Sequence, residues 1–329
     1  MNSRIVSLPI VILMPHSACN CRCVMCDIWK DNADKHEFDI DRMEKIVDDL
    51  KKLRTRLVVL SGGEALLHSK IFDFCTVIRN AGIKINLLST GLLLEKFCRQ
   101  IVAHTDEIIV SLDGSETVHN SIRRIPDAFR KLKTGVQSIK QIQPHFRVTG
   151  RCVIQKNNFR DMANIIAAAK DIGLDQVSFL AADTYTTAFN HNTAELNLKE
   201  IVISKNELPE FHQILKNFFR VYKKDFQSKF IAESPDKMMR IYRHYAAANG
   251  LGDFESPKCN APWVSAVIEA DGNVRPCFFH ASYGLLSSGG IGAIINSAYA
   301  AQFRKNLDVK NNDICRHCVC SLYFKHSLF

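Results

Sequence analysis

The chain has 329 residues, 47% of them hydrophobic and 23% charged, and a formal charge of +9. This is an ordinary globular composition that excludes wholesale disorder, and the length suits one large domain plus a smaller one. Basic residues are spread along the whole sequence, which argues against a nucleic-acid partner and leaves room for a mildly positive cleft facing an anionic substrate.

In chain order, RIVSLPIVILM (4–14) reads as a buried first strand. It is not a signal peptide, because no small-residue cleavage site follows it. FDIDRMEKIVDDLKKL (38–53) places Ile40, Met43, Ile46, Val47 and Leu50 at helical spacing. RLVVLSGGE (56–64) is a strand ending in glycines, and IFDFCTVIRNAG (71–82) a helix stopped by Gly82. Strand KINLLSTG (84–91) is followed by helix LLLEKFCRQIVAH (92–104), and strand EIIVSLDG (107–114) by a helix whose first turn holds Pro126. FRVTGRCVIQ (146–155), DMANIIAAAKDIG (161–173) and QVSFLAA (176–182) complete the alternation as strand, helix and strand.

Short apolar strands alternating with helices predict a parallel α/β sheet. Six such units fall short of a closed eight-unit barrel, so a partial (β/α)6 TIM-like barrel is expected, with a wide lateral mouth. Its active end lies at the strand C-termini, where Ser61–Glu64, Ser89–Gly91, Ser111–Gly114 and Asp183–Tyr185 fall. Beyond it, 183–204 is polar and irregular. Residues 206–226 form one long amphipathic helix with a stripe of Leu208, Phe211, Leu215, Phe218, Phe219 and Tyr222. VSAVIEADGNVRPCFF (264–279) is a hairpin turning at Asp271-Gly272. The expected domains are 1–195, the partial barrel; 196–258, a helical linker; and 259–329, a small cysteine-bearing domain.

No stretch reaches the roughly 18 apolar residues of a membrane helix, so a cytoplasmic protein without membrane contact is expected. The cytosol disfavours structural disulfides, so the twelve cysteines need another account. They cluster at 19–26 and 315–320, with Cys259 and Cys277 as a looser pair, and clustering points to metal. Cys75, Cys98 and Cys152 stand alone, as small core hydrophobes do. Within CNCRCVMC, Cys19, Cys23 and Cys26 have the spacing C-x3-C-x2-C, and Cys21 has no place in it. Three thiolates can hold an iron–sulfur cube from one loop and leave its fourth iron open to a ligand. A zinc site is the alternative, with Cys21 or a distant cysteine as fourth ligand.

C-x3-C-x2-C after the first strand, with SGGE ending the second, resembles the radical S-adenosylmethionine (SAM) enzymes. The likeness covers about residues 6–182. It implies that Cys19, Cys23 and Cys26 hold a 4Fe–4S cluster whose open iron chelates SAM. It also implies that reductive cleavage of SAM gives a 5′-deoxyadenosyl radical that abstracts hydrogen. Gly62 and Gly63 would let backbone approach a ligand, and Glu64 would accept from the SAM ammonium. Ala65 stands where the family usually has Pro, and Met25 where it usually has an aromatic. Ser89, Thr90, Ser111 and Asp113 are candidates for the ribose or carboxylate of SAM, with turn-shaping the alternative for Asp113. HNSIRR (119–124) resembles an H-D-x-x-R stretch of one branch, making Arg123 the expected carboxylate partner and Arg151 its competitor.

Cys259 and Cys277 in C-x12-G-x4-C, with Cys315-x2-Cys318 downstream, resemble the auxiliary-cluster domain of the SPASM and twitch branches. Four cysteines imply one auxiliary 4Fe–4S cluster, a zinc ribbon being the alternative. Cys320 follows at the wrong spacing, as a substitute ligand or a substrate-facing thiol. Only 18 residues precede Cys19, too few for a leader-binding domain, which favours a small-molecule substrate such as a carbohydrate or natural-product intermediate. Asp183, Tyr185, His191 and Cys320 are the candidate catalytic groups, for oxidation or epimerisation. A flavodoxin- or ferredoxin-type reductant is the expected electron donor. The alternatives are a peptide maturase with its leader-binding partner in trans, an iron–sulfur electron carrier, and a zinc-binding module.

Overall fold

The computed structural model describes residues 4–190 and 198–324. Among these, nine strands form one sheet in the order β6-β5-β4-β3-β2-β1-β7-β8-β9. The strands are β1 (Ile10–Leu13), β2 (Leu57–Leu60), β3 (Lys84–Ser89), β4 (Glu107–Ser111), β5 (Arg147–Ile154), β6 (Gln176–Ala181), β7 (Ser265–Ile268), β8 (Asn273–Arg275) and β9 (Gly284–Leu285). The first six pair in parallel, each with its predecessor, as βα repetition requires. β6 and β9 are the edges, so the sheet stays open, consistent with a partial barrel.

Helices cover the outer face. Ile40–Lys52 buries Met43, Ile46, Val47 and Leu50, but Ile40 itself sits 37% exposed at the first turn. The helix expected to hold Pro126 in its first turn begins two residues later, as Ala128–Ile142. The predicted 206–226 helix is two, Leu208–Val221 and Lys223–Gln227, broken at Tyr222, whose ring packs 4.7 Å from that of Phe218. Several helices escaped the sequence reading, two of the longer ones among them. Glu116–Arg123 has a weakly apolar pattern, and Pro235–Ala248 carries charge on most turns while burying Met238, Ile241 and Tyr245. The Tyr245 hydroxyl donates to the carbonyl of Ile154 and accepts from the N–H of Ala182, fastening that helix across β5 and β6.

The C-terminal hairpin adds to the same sheet. β7 runs parallel to β1, with Ile10 opposite Ser265 and Leu13 opposite Ile268, and β8 returns antiparallel. Gly272 supplies the positive φ of the turn at +94°, and the Asp271 carboxylate accepts from the N–H of Asn273. The short helix Ala261–Val264 separates Cys259 from β7. Alternate residues of each strand therefore face a concavity closed on one side by the hairpin and the segment 314–322. No helix among the described residues is long and apolar enough to cross a membrane.

Candidate functional site

The loop after β1 is fastened from several directions. Asn32 grips Cys19 through both its N–H and its carbonyl, each at 2.9 Å. The N–H groups of Arg22 and Val24 donate to the carbonyls of Arg123 and Ile122, and that of Asp27 to Phe189. The indole of Trp29 donates to the carbonyl of Cys26. None of these anchors had a motif to announce it, because each works through backbone groups any residue carries.

The two glycines make room for the chain itself. A Cβ on Gly63 would stand 2.1 Å from the carbonyl oxygen of Ala18, and one on Gly62 2.6 Å from that of His16. Gly62 also holds a φ of +117°. The close approach expected toward a ligand is thus made toward the backbone entering the cysteine loop, and the N–H of Glu64 donates to Ala18 at 2.9 Å.

Glu64 is fully buried. Its carboxylate accepts from the Ser89 hydroxyl, from the N–H and hydroxyl of Thr90 at 2.7 Å each, and from the N–H of Leu66. Burial pushes its pKa up, against those hydrogen bonds. Four donors fill a carboxylate's acceptor capacity. The Thr90 hydroxyl also has a second acceptor, Asn20 Oδ1 at 3.0 Å.

Asp113 and Arg123 meet each other. The guanidinium donates to Asp113 through Nε and Nη2, both at 2.6 Å, and its Nη1 lies 3.3 Å from Cys23 Sγ. Asp113 also accepts from the N–H of Val153, so it ties strand ends together as well as holding the arginine. Burial works against the charge on Arg123, and Asp113 and Cys23 overcome it. The Cys21 thiol donates to Cys23, and this bond, with Arg123 beside it, draws the Cys23 thiol down despite burial. Cys21, which has no place in the spacing, therefore faces Cys23. Burial pushes Cys19 up to about 12 and Cys26 higher still. Neutral buried thiols of this kind become ligands when a cation replaces their protons.

Arg151 lies elsewhere. It shares a cavity of about 370 Å³ with Ile10, Ile12, Val59, Leu88 and Ile109 of the strands. Cys259, Cys277, Cys315, Cys318 and Cys320 line the same cavity, and Arg151 acts electrostatically on Cys320. Ser111 is opposite Arg151 in the register and shares the cavity side of β4 with Ile109 by alternation. Burial raises Cys277 to about 11 and Cys315 to about 12, and also raises Cys318 and Cys320. His280 Nε2 lies 3.3 Å from Cys315 Sγ, a neighbour that its place three residues after Cys277 could have suggested. Among the described residues no three Cys, His, Asp or Glu converge on a single metal ion. A four-iron cube sets each thiolate on its own iron, so its ligands need not converge.

The loop candidates are committed to structure. The Asp183 carboxylate accepts from the N–H groups of Tyr185 and Thr186 and from the Thr186 hydroxyl, shaping its own turn. Tyr185 donates to Asp313 and stacks on His317 at 3.6 Å, reaching the knuckle that carries Cys315 and Cys318. His191 lies outside the described residues.

Residues 13–169 match the model of the radical SAM superfamily, and residues 259–319 that of SPASM, an iron–sulfur cluster-binding domain. The chain carries a radical SAM domain and a SPASM domain. As a SPASM-type member it takes SAM and two 4Fe–4S clusters as cofactors. It is similar to the AdoMet-dependent heme synthase of Methanosarcina barkeri, 24% identical over 48% of this chain and 46% of that one. It is also similar to the antilisterial bacteriocin subtilosin biosynthesis protein AlbA of Bacillus subtilis, 24% identical over 79% of this chain and 52% of that one. The chain spans about half the length of these curated relatives. Among solved structures, Streptococcus suis SuiB bound to precursor peptide SuiA superposes with a TM-score of 0.67 at 12% identity, over 97% of this chain and 72% of that one. Native anSMEcpe with bound AdoMet and Cp18Cys peptide gives 0.66 at 18%, over 94% and 87%. These likenesses establish the SPASM-type radical SAM fold.

Proposed function

We propose that this radical SAM enzyme takes a hydrogen atom from a small molecule held in the strand-lined cavity, and that the net reaction is an oxidation. When bound, SAM and its cluster supply a 5′-deoxyadenosyl radical. Cys19, Cys23 and Cys26 would hold that cluster, and Cys259, Cys277, Cys315 and Cys318 the auxiliary one. The observation that carries the reading is the single cavity lined both by inward strand residues and by the C-terminal cysteines. A substrate there lies against the auxiliary ligands, where an electron can leave it.

The chain's own groups fit these roles. Arg123 beside Cys23 donates to a ligand sulfur, a lever on cluster potential. If the Thr90 hydroxyl turns to Asn20, Glu64 regains an acceptor site for the SAM ammonium. The apolar strand residues give the cavity a largely apolar wall. Cys320, set among the auxiliary cysteines, is the hydrogen donor if the outcome is epimerisation instead. The domain limits at 195 and 258, a cytoplasmic location and a flavodoxin- or ferredoxin-type reductant belong to the same proposal.

A second reading, a peptide maturase, is favoured by the AlbA match, which runs over 79% of this chain. Anaerobic reconstitution with iron counting, then reduction with SAM present, tests the enzyme reading. About eight irons per chain with 5′-deoxyadenosine formed supports it. Zinc in place of iron, or filled clusters without deoxyadenosine, rejects it.

A further inference from the structure

His280 links the two halves of the C-terminal cysteine set. It follows Cys277 by three residues, and its Nε2 lies 3.3 Å from Sγ of Cys315, 35 residues further along the chain. The side chain is buried, 5% exposed. Its ring packs edge-on against Phe303, with centroids 5.0 Å apart, and Arg275 Nη1 donates to the His280 carbonyl at 3.2 Å. Arg275 is itself paired with Glu269 of the same hairpin at 2.6 Å. The imidazole is thus aimed at the sulfur by contacts on both its ring and its backbone. The neighbouring Cys318 has a donor of its own: Arg240 Nη2 donates to its carbonyl at 2.8 Å, and the guanidinium charge acts on Cys318 and Cys320.

A thiolate carries no proton, so with Cys315 as a ligand only the ring N–H can donate in this pair, and the imidazole proton sits on Nε2. The bond needs no charge on the ring, which suits a side chain so little exposed. A hydrogen bond on a ligand sulfur stabilises negative charge there, and so favours a reduced cluster over an oxidised one. We propose that His280 is a positioning residue of the auxiliary cluster, and that its Nε2–H bond to Cys315 Sγ raises the reduction potential of that cluster. This deepens the proposed oxidation and rests on it, because a raised potential suits the group that takes an electron from the substrate. It also gives a use to a side chain that stands outside the cysteine spacing altogether.

The experiment uses the full chain with Cys19, Cys23 and Cys26 replaced by Ala, reconstituted with iron and sulfide so that the auxiliary cluster is read alone. Midpoint potentials come from anaerobic redox titrations followed by electron paramagnetic resonance, with iron counted per chain. His280→Leu keeps the bulk and removes the donor. It should retain about four irons and make reduction about tenfold less favourable, a fall of about 59 mV for one electron. His280→Gln, whose amide N–H can take the place of Nε2, should recover about half of that fall or more. His280→Asn, too short to reach Cys315, should behave as His280→Leu does, and it reads the bond if His280→Leu does not fold. An unchanged potential in His280→Leu and His280→Asn with the iron retained overturns the proposal and leaves the cluster assignment standing. A fall that His280→Gln does not reduce also overturns it, by making the effect one of packing. Loss of iron in all three variants overturns it too, by making His280 a ligand. Zinc, or no iron, in the starting protein removes the auxiliary cluster, and with it both this proposal and the oxidation it serves. Deoxyadenosine formation by the chain with its first three cysteines intact is scored separately, and its absence sinks the hydrogen-abstraction reading alone.

Discussion

Gly63→Ala tests whether the glycine pair shapes the cysteine loop. The added Cβ would lie 2.1 Å from the Ala18 carbonyl oxygen, 2.4 Å from its carbon and 2.7 Å from the Ser17 oxygen. All three are backbone atoms, so no rotamer relieves the clash. The 17–18 segment must retreat by roughly 1 Å to restore van der Waals contact. It is not free to do so, because Glu64 N–H holds Ala18, His16 Nδ1 accepts from the Ala18 N–H at 2.8 Å, and Asn32 grips Cys19. Overpacking against fixed backbone costs about 1–3 kcal/mol. The displacement passes directly to Cys19, and a misplacement of about 1 Å at a reacting centre lowers rate by about 100-fold. The assay is deoxyadenosine formation with iron per chain, alongside thermal unfolding. Gly82→Ala is the control: Gly82 has a φ of +74° but nothing within 4 Å, so it carries backbone strain without a clash. Gly63→Ala should lose SAM cleavage, while Gly82→Ala should lose only about 1 kcal/mol of stability. Wild-type cleavage in Gly63→Ala, or an equal loss in Gly82→Ala, refutes the reasoning.

Replacing Cys19, Cys23 or Cys26 by Ala should remove about four irons per chain and all deoxyadenosine, whereas Cys21→Ala should keep the iron; analysis of reconstituted protein decides. Tyr185→Ala should lower auxiliary iron by loosening the knuckle that its ring and hydroxyl hold, while Tyr185→Phe, keeping the stack on His317, should retain most of it. Burial lowers the pKa of His119 to about 4, because its imidazole has no water around it, with Asp113 and Arg123 adding opposing smaller effects. A depressed histidine favours folding above its unfolded pKa of about 6.5 and loses that advantage as pH falls toward 4. Denaturant titrations should show that His119→Leu removes on the order of 3 kcal/mol of the acid-induced loss between those limits. An unchanged pH slope would count against it.

The barrel was legible because its strands and helices repeat a simple pattern. Val58, Leu60, Ile85 and Leu87 are apolar in short runs because both faces of a parallel sheet are covered. The helix Pro235–Ala248 was illegible for the opposite reason. Its buried Met238, Ile241 and Tyr245 are interleaved with Lys237, Arg240 and Arg243, and only the tertiary partners of Tyr245 reveal its inner face. At the site, the spacing of Cys19, Cys23 and Cys26 was readable because all three lie in one loop, so the pattern is local in the sequence. The roles of Asp183 and Tyr185 were not. A carboxylate after a strand looks the same in sequence whether it faces a substrate or caps its own turn, and the N–H groups of Tyr185 and Thr186 decide.

The segment after β6 shows why the two cysteine regions are best understood together. Its Asp183 turn delivers Tyr185 to Asp313 and His317, beside Cys315 and Cys318. Four residues on, the Phe189 carbonyl accepts from Asp27, next to Cys26, while its ring lies 6.0 Å from Phe278, next to Cys277. One short stretch thus touches the flank of the first cysteine loop and two flanks of the second set. Any shift of it moves both cysteine regions. Phe189 holds a φ of +60°, a left-handed conformation that a bulky residue adopts only when its surroundings fix it. The contacts to the two cysteine regions are among those that fix it. If the two regions hold the clusters proposed above, tightening or loosening this segment should alter coupling between SAM cleavage and substrate turnover before it alters either cluster.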